Sequence, residues 1–195
     1  MNQPAYTTEV YDKAYKDSVA YTDHWNQRAL LAVMAHLTGV PTSFLDVGCG
    51  SGELVKLMHK FYPMVCVGID ISDRHYDIYD IRKYDLRKPV DLGRLFQLVI
   101  SWEVGEHLPP ESADTYCETL ARHVYKGGYL VFTAAAPNQG GNYHINEQPQ
   151  CYWQKKLESR GLTYLVEETE RLAETWRWCT GMCFWLHKNV QVFRR

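Results

Sequence analysis

No apolar run in these 195 residues approaches the ~20 needed to cross a bilayer as a helix. The six cysteines include no Cys-x-x-Cys pair, so the sequence contains neither a zinc-ribbon spacing nor a dithiol redox motif. Repeats, low-complexity tracts and a Pro/Gly-rich linker are also missing, and one domain over 1–195 is the expectation. The opening stretch MNQPAYTTEVYDK lacks a signal-peptide pattern, and scattered thiols suit a reducing compartment; the expected setting is the cytoplasm. Neither charge sign is in large excess. A net charge of −2 speaks against an extended nucleic-acid surface. The balance is −5 over 1–148 and +3 over 149–195, which suits either an anionic substrate near the C-terminal region or an ordinary solvated surface.

What is present begins with SFLDVGCGSGELVKLM, from Ser43 to Met58. Gly48, Gly50 and Gly52 follow an apolar run directly and precede a helical pattern. Glycine costs conformational entropy, so something must require three of them; one reason is a ligand that approaches the backbone closely. Around this loop, apolar runs alternate with helical patterns. SFLDV, VCVGIDI and a short stretch near YDIRKYDL read as three strands, with a helix over SGELVKLMHKFY after the first. WNQRALLAVMAHL before them reads as a helix ended by Gly39-Val40-Pro41. FQLVISWEV has the continuous apolarity of a strand buried on both faces.

PPESADTYCETLARHV reads as a helix opened by Pro and acidic residues and ended by Gly127-Gly128. A fifth strand, YLVFTAAA, leads into the polar loop 137–149 and a helix around CYWQKKLESR. LTYLVEE and NVQVFRR read as closing strands, with a helix around ERLAETWRWC between them. This order predicts an α/β, doubly wound, Rossmann-like sheet of seven mostly parallel strands with helices on both faces. Its ligand is expected outside the C-terminal strand ends, where the glycine loop sits.

A dinucleotide fingerprint would need glycine at 53, where the chain has Glu53, and that disfavours an NAD-dependent oxidoreductase. Instead Asp46 precedes the glycines, a placement suited to a cationic ligand group rather than a pyrophosphate. Asp70 ends the second strand, in reach of ribose hydroxyls, and Asp85 follows the third. LDVGCGSG with VGID one helix later resembles the class I S-adenosylmethionine-dependent methyltransferases from about Ser43 to Val131. The resemblance implies S-adenosylmethionine as cofactor, with Asp46, Gly48, Gly50 and Gly52 by its methionine part and Asp70 on the ribose. Asp85 and Leu86 would flank the adenine, and Ile71, Trp102 and Glu103 complete the implied cofactor set. Only a short ISDRHY stretch separates strands two and three, so the helix usual there is shortened or missing and Asp80 competes with Asp85. Within the domain, 1–40 is expected as a helical cap or lid, 41–135 as the cofactor-binding core and 136–195 as the substrate side. Tyr11, Tyr15, Tyr21 and Trp25 are candidates for the lid; Trp153, Trp176 and Trp178 are pocket-wall or core residues. Asp73, His75, Asp77 and Asp80 are read as a solvated acidic loop.

A second group follows the fourth strand. If a helical turn starts at Glu103, then Glu106 and His107 fall on its face at i+3 and i+4, and His144 lies in the loop after strand five. Two carboxylates and two imidazoles are a plausible ligand set for Mg2+ or Mn2+. The Glu-x-x-Glu-His spacing resembles two metal-assisted branches of the family, the ubiquinone-biosynthesis O-methyltransferases and the small-RNA 3′-terminal 2′-O-methyltransferases. The alternative is metal-free: Glu103 orients the ligand, His107 is a packed histidine, and His107 or His144 acts as general base. The expected activity is methylation of an oxygen, or less readily a nitrogen, of a small molecule or short nucleotide-like substrate. A catalytically idle cofactor-binding module is the rival reading.

Overall fold

The structure is a computed structural model in which residues 25–72, 79–179 and 184–195 are described. Helix α1 covers 25–33 and continues as a π-helical turn, Met34–Thr38. Gly39 closes it by donating its N–H to the Met34 carbonyl at 2.7 Å. Strand β1 (Ser43–Val47) leads through the glycine loop into α2 (Glu53–Phe61), then β2 (Val65–Asp70) and β3 (Ile81–Lys83). Next come β4 (Phe96–Trp102), 3-10 turns at Gly105–His107 and Pro110–Ser112, α3 (Ala113–His123) and β5 (Val124–Thr133). The chain closes with α4 (Gln150–Glu158), β6 (Thr163–Tyr164), α5 (Val166–Cys179), α6 (Phe184–Asn189) and β7 (Gln191–Arg194).

These strands form one seven-stranded sheet in the order β3-β2-β1-β4-β5-β7-β6. The first five neighbours run parallel, and β7 runs antiparallel to both β5 and β6. Alternation along each strand feeds two cores. Leu45, Val67, Ile69 and Val99 face α3 and α4, packing with Tyr116, Leu120, Trp153 and Leu157. Phe44, Cys66, Leu98 and Ile100 face α1, α2 and α5, against Leu30, Val55, Met58 and Trp176. Each fully buried aliphatic side chain contributes about 1.5–3 kcal/mol. Because β1 sends its connection to β2 on one side and borders β4 on the other, the chain reverses direction around β1, and ligands settle at such a switch point.

Several sequence expectations need correction. Gly127-Gly128 does not end α3; that helix stops at His123 and both glycines lie inside β5. A Cβ on Gly128 would stand 2.8 Å from the Gln97 carbonyl oxygen, where β4 and β5 shift register. LTYLVEE provides only the two residues of β6, since Val166 already begins α5, and the sequence reading omitted α6. Between β2 and β3 the described residues contain no helix. Tyr11, Tyr15, Tyr21, Asp73, His75 and Asp77 lie outside the described residues. Trp153 and Trp176 are fully buried core residues, while Trp178 is exposed on α5. No described helix is long and apolar enough to cross a membrane.

Candidate functional site

The glycine loop turns sharply because Gly48, Gly50 and Gly52 all have positive φ, at 81°, 55° and 73°. Space demands glycine as well: a Cβ on Gly48 would fall onto the Val104 side chain, and one on Gly52 onto Ile81. The turn is pinned to β2. Gly48 and Cys49 donate their N–H groups to the Ile69 carbonyl at 2.8 and 3.1 Å, and Gly50 donates to Asp70 Oδ2 at 2.9 Å. Asp70 Oδ1 accepts from the Ser72 N–H at 2.9 Å, so both carboxylate oxygens brace the backbone around the cleft. Asp46 lies buried behind it. Burial first, and the Asp70 charge second, push the Asp46 carboxyl up to about 8.

An open cleft of about 420 Å³ runs along the C-terminal strand ends. Gly48, Asp70, Ile71, Asp85, Leu86, Glu103, Val104, His107 and Leu108 line it, while Glu106 and His144 do not. Arg87, which the sequence reading did not select, lines it too and grips Asp85 through two bonds, Nε–Oδ1 at 2.8 Å and Nη2–Oδ2 at 2.9 Å. That hydrogen-bonded guanidinium holds the Asp85 carboxyl below its usual range. Asp80 is absent from the lining and pairs with Arg82 instead. Asp46, Gly50, Gly52 and Trp102 do not line the cleft. Trp102 packs edge-on against Trp176, ring centroids 5.1 Å apart, in the core behind β4.

The second group is assembled differently from the spacing argument. The turn after β4 begins at Gly105, two residues later than expected, so Glu103 stands outside it with a φ of +54°. Its backbone N–H is held by Thr133, at 2.9 Å to Oγ1 and 3.1 Å to the carbonyl. Its carboxylate accepts from Gln139 Nε2 on one oxygen and Asn189 Nδ2 on the other, each at 3.3 Å. Ligand atoms of Glu106, His107 and His144 come within 4.8 Å of one another; Glu103 is not in that triad. Loop 137–149 brings His144 across because the Glu106 carbonyl accepts from both Ile145 and Asn146 N–H groups, at 2.9 and 3.0 Å.

Glu106 is fully buried, and neither carboxylate oxygen has a well-formed hydrogen bond among the described residues. Burial, then the adjacent Glu103 charge, hold its proton on well above the usual carboxylate range. His107 is displaced the other way, down to about 4, by burial first and by His144 second. A neutral imidazole and an orphaned buried carboxyl form a donor set that a divalent cation would satisfy, since ions of this kind bind neutral His nitrogen and carboxylate oxygen together. The triad fits such an ion. Gln139, Tyr143, Glu147 and Asn189, which support the site, escaped the sequence reading; they lie on irregular backbone or at a helix end, and no periodicity marks them.

A protein-family model described as a methyltransferase domain matches residues 22–189. Cyclopropane-fatty-acyl-phospholipid synthase of Escherichia coli is 29% identical over 93 residues, covering 45% of this chain and 24% of that one. The chain therefore spans about a quarter of the length of that curated relative. The O-methyltransferase from the trans-AT PKS multienzyme of Brevibacillus brevis, in complex with S-adenosyl-L-homocysteine, matches with a TM-score of 0.64 at 12% identity, over 100% of this chain and 81% of that one. The sugar N-methyltransferase KedS8 from a Streptoalloteichus species matches with a TM-score of 0.52 at 23% identity, over 75% and 62%. At these identities the structural likeness establishes the shared fold.

Proposed function

The chain belongs to the class I S-adenosylmethionine-dependent methyltransferases, and on that premise we propose that it methylates a hydroxyl oxygen of a small or short nucleotide-like substrate with the help of a divalent metal. The observation that carries this reading is the triad of Glu106, His107 and His144, of which His107 lines the same cleft as Asp70 and Asp85. His107 is the triad member through which the two groups of residues share one cavity.

S-adenosylmethionine supplies a methyl group already activated on a sulfonium, so the protein's task is alignment and proton removal. Asp70 shapes the glycine loop and is set against the ribose, Asp85 and Leu86 flank the adenine, and Asp46, buried behind the loop and off the cleft lining, ionises in response to the sulfonium. Glu103, held by two amides, lines the cleft with Asp70 and His107 and in this reading orients the ligand. Mg2+ or Mn2+ on Glu106, His107 and His144 would supply a Lewis acid that lowers the acceptor hydroxyl's pKa. His107 at about 4 is a poor general base near neutrality but offers a ring nitrogen lone pair, which favours the ligand role for that ring and leaves His144 as the base of the metal-free alternative. The cytoplasm is the compartment this reading assigns, consistent with the free thiols of Cys49, Cys66, Cys117, Cys151 and Cys179.

A transfer screen with methyl-labelled cofactor against pooled metabolites, nucleosides and short RNAs tests the reading. Label in an alkali-stable ether product supports it. Label on nitrogen, or cofactor binding without transfer to any pool, overturns it; the latter outcome returns the idle-module alternative.

A further inference from the structure

The loop that carries His144 also holds both imidazoles of the triad from behind. His144 Nδ1 meets Glu147 Oε1 at 2.9 Å, and His107 Nδ1 meets the Tyr143 carbonyl oxygen at 3.3 Å. A carbonyl only accepts, and so does an ionised carboxylate, so each Nδ1 is the donor and each Nε2 carries the ring lone pair. The Glu147 oxygen is itself fixed by the Gly140 N–H, which donates to it at 2.8 Å. His144 and Glu147 side chains are largely enclosed, 12% and 19% exposed, so water competes weakly for the bond.

The geometry points to Glu147 as the positioning residue of the site, holding His144 in the Nδ1–H tautomer so that Nε2 is presented as a ligand. This rests on the metal-assisted reading above. Histidine ligands are commonly oriented in this way by a carboxylate on the other ring nitrogen, and losing such a partner weakens metal binding about 10–100-fold. The peptide carbonyl behind His107 cannot be removed by substitution, which makes Glu147 the point at which the arrangement can be broken.

Two readouts test it on the full-length protein. Two-bond 15N–1H correlations of the imidazoles, recorded where the rings are neutral, report the tautomer without any metal. Mn2+ titration followed by electron paramagnetic resonance reports affinity. Wild-type His144 should be Nδ1–H. In Glu147→Ala no acceptor faces Nδ1, so the tautomer should move toward Nε2–H and Mn2+ affinity should fall about 10–100-fold. Glu147→Asp keeps an acceptor and should retain the wild-type tautomer. The proposal is overturned if wild-type His144 is already Nε2–H, or if Glu147→Ala keeps Nδ1–H and wild-type Mn2+ affinity while losing only thermal stability. A tautomer shift in Glu147→Ala with no Mn2+ binding by the wild type supports the positioning role and overturns the metal reading alone.

Discussion

His107 and His144 stand edge to face with ring centroids 4.9 Å apart, one on the turn after β4 and the other on the loop after β5. They are 37 residues apart in sequence, and the two Glu106 carbonyl bonds to the loop bring them together. The pair is therefore a property of the loop's docking, and it can be tested one ring at a time.

His144→Ala should lower kcat/KM by about 10²–10⁴-fold while leaving cofactor affinity within about threefold, since the ring acts on the acceptor and not on the cofactor. Steady-state assays with isothermal titration calorimetry separate the two effects. Equal losses in rate and cofactor affinity would mean that His144 merely supports the cleft.

The depressed His107 pKa has a stability consequence. Its folded value of about 4 lies below the ordinary 6.5, so the unfolded chain takes up the proton first as pH falls. The ring's full contribution is present above about 6.5 and is lost as pH drops toward 4, roughly 3 kcal/mol in all. Denaturant unfolding of metal-free protein at a series of pH values should show that slope, and His107→Asn should flatten it.

Asp46 predicts a proton coupled to the cofactor. Its carboxyl, raised to about 8 when the site is ligand-free, is mostly protonated at neutral pH, whereas a sulfonium nearby favours the ionised form. Binding S-adenosylmethionine should release a proton, and affinity should rise with pH, by up to about tenfold per unit, levelling off above about 8. The demethylated product has no sulfonium charge and should show a flatter profile. Calorimetry in buffers of different ionisation enthalpy measures the released proton directly. Asp46→Asn should abolish the difference between the two ligands.

Gly48→Ala meets two obstacles, a φ of +81° and the Val104 side chain. It should destabilise the fold by about 1–3 kcal/mol. Adding Val104→Ala opens the space but leaves the backbone strain, so the double variant should remain about 1 kcal/mol below the Val104→Ala single variant. Thermal or denaturant melts of the four proteins close the cycle.

The layered sheet was legible because parallel strands covered on both faces read as apolar runs, and SFLDV, VCVGID and FQLVISW each fold as such a strand. The glycines were legible as a turn, but the reason assigned to them was incomplete. Close ligand approach was the expected cause, yet Val104 and Ile81 already forbid a side chain at Gly48 and Gly52. Helical spacing put Glu103, Glu106 and His107 on one turn, yet Glu103 is outside it because its N–H is captured by Thr133. That capture is a contact between β4 and β5, invisible to local spacing. Gly127-Gly128 was misread for a similar reason: a glycine pair after a helix suggests a stop, and only the Gln97 carbonyl, 31 residues before Gly128, shows that close strand contact requires it. Gln139, Tyr143 and Glu147 lie on a loop whose positive φ values at Asn138 and Tyr143 follow no pattern in their side chains.

The most direct test follows methyl transfer to an acceptor identified in the labelled screen, before and after chelation, with Mn2+ then restored in excess of the chelator. Transfer that collapses on chelation and returns with Mn2+, in protein that binds S-adenosylmethionine equally well throughout, is the predicted result. Transfer that continues undiminished in excess chelator would contradict the account and leave Glu106, His107 and His144 as a metal-free site.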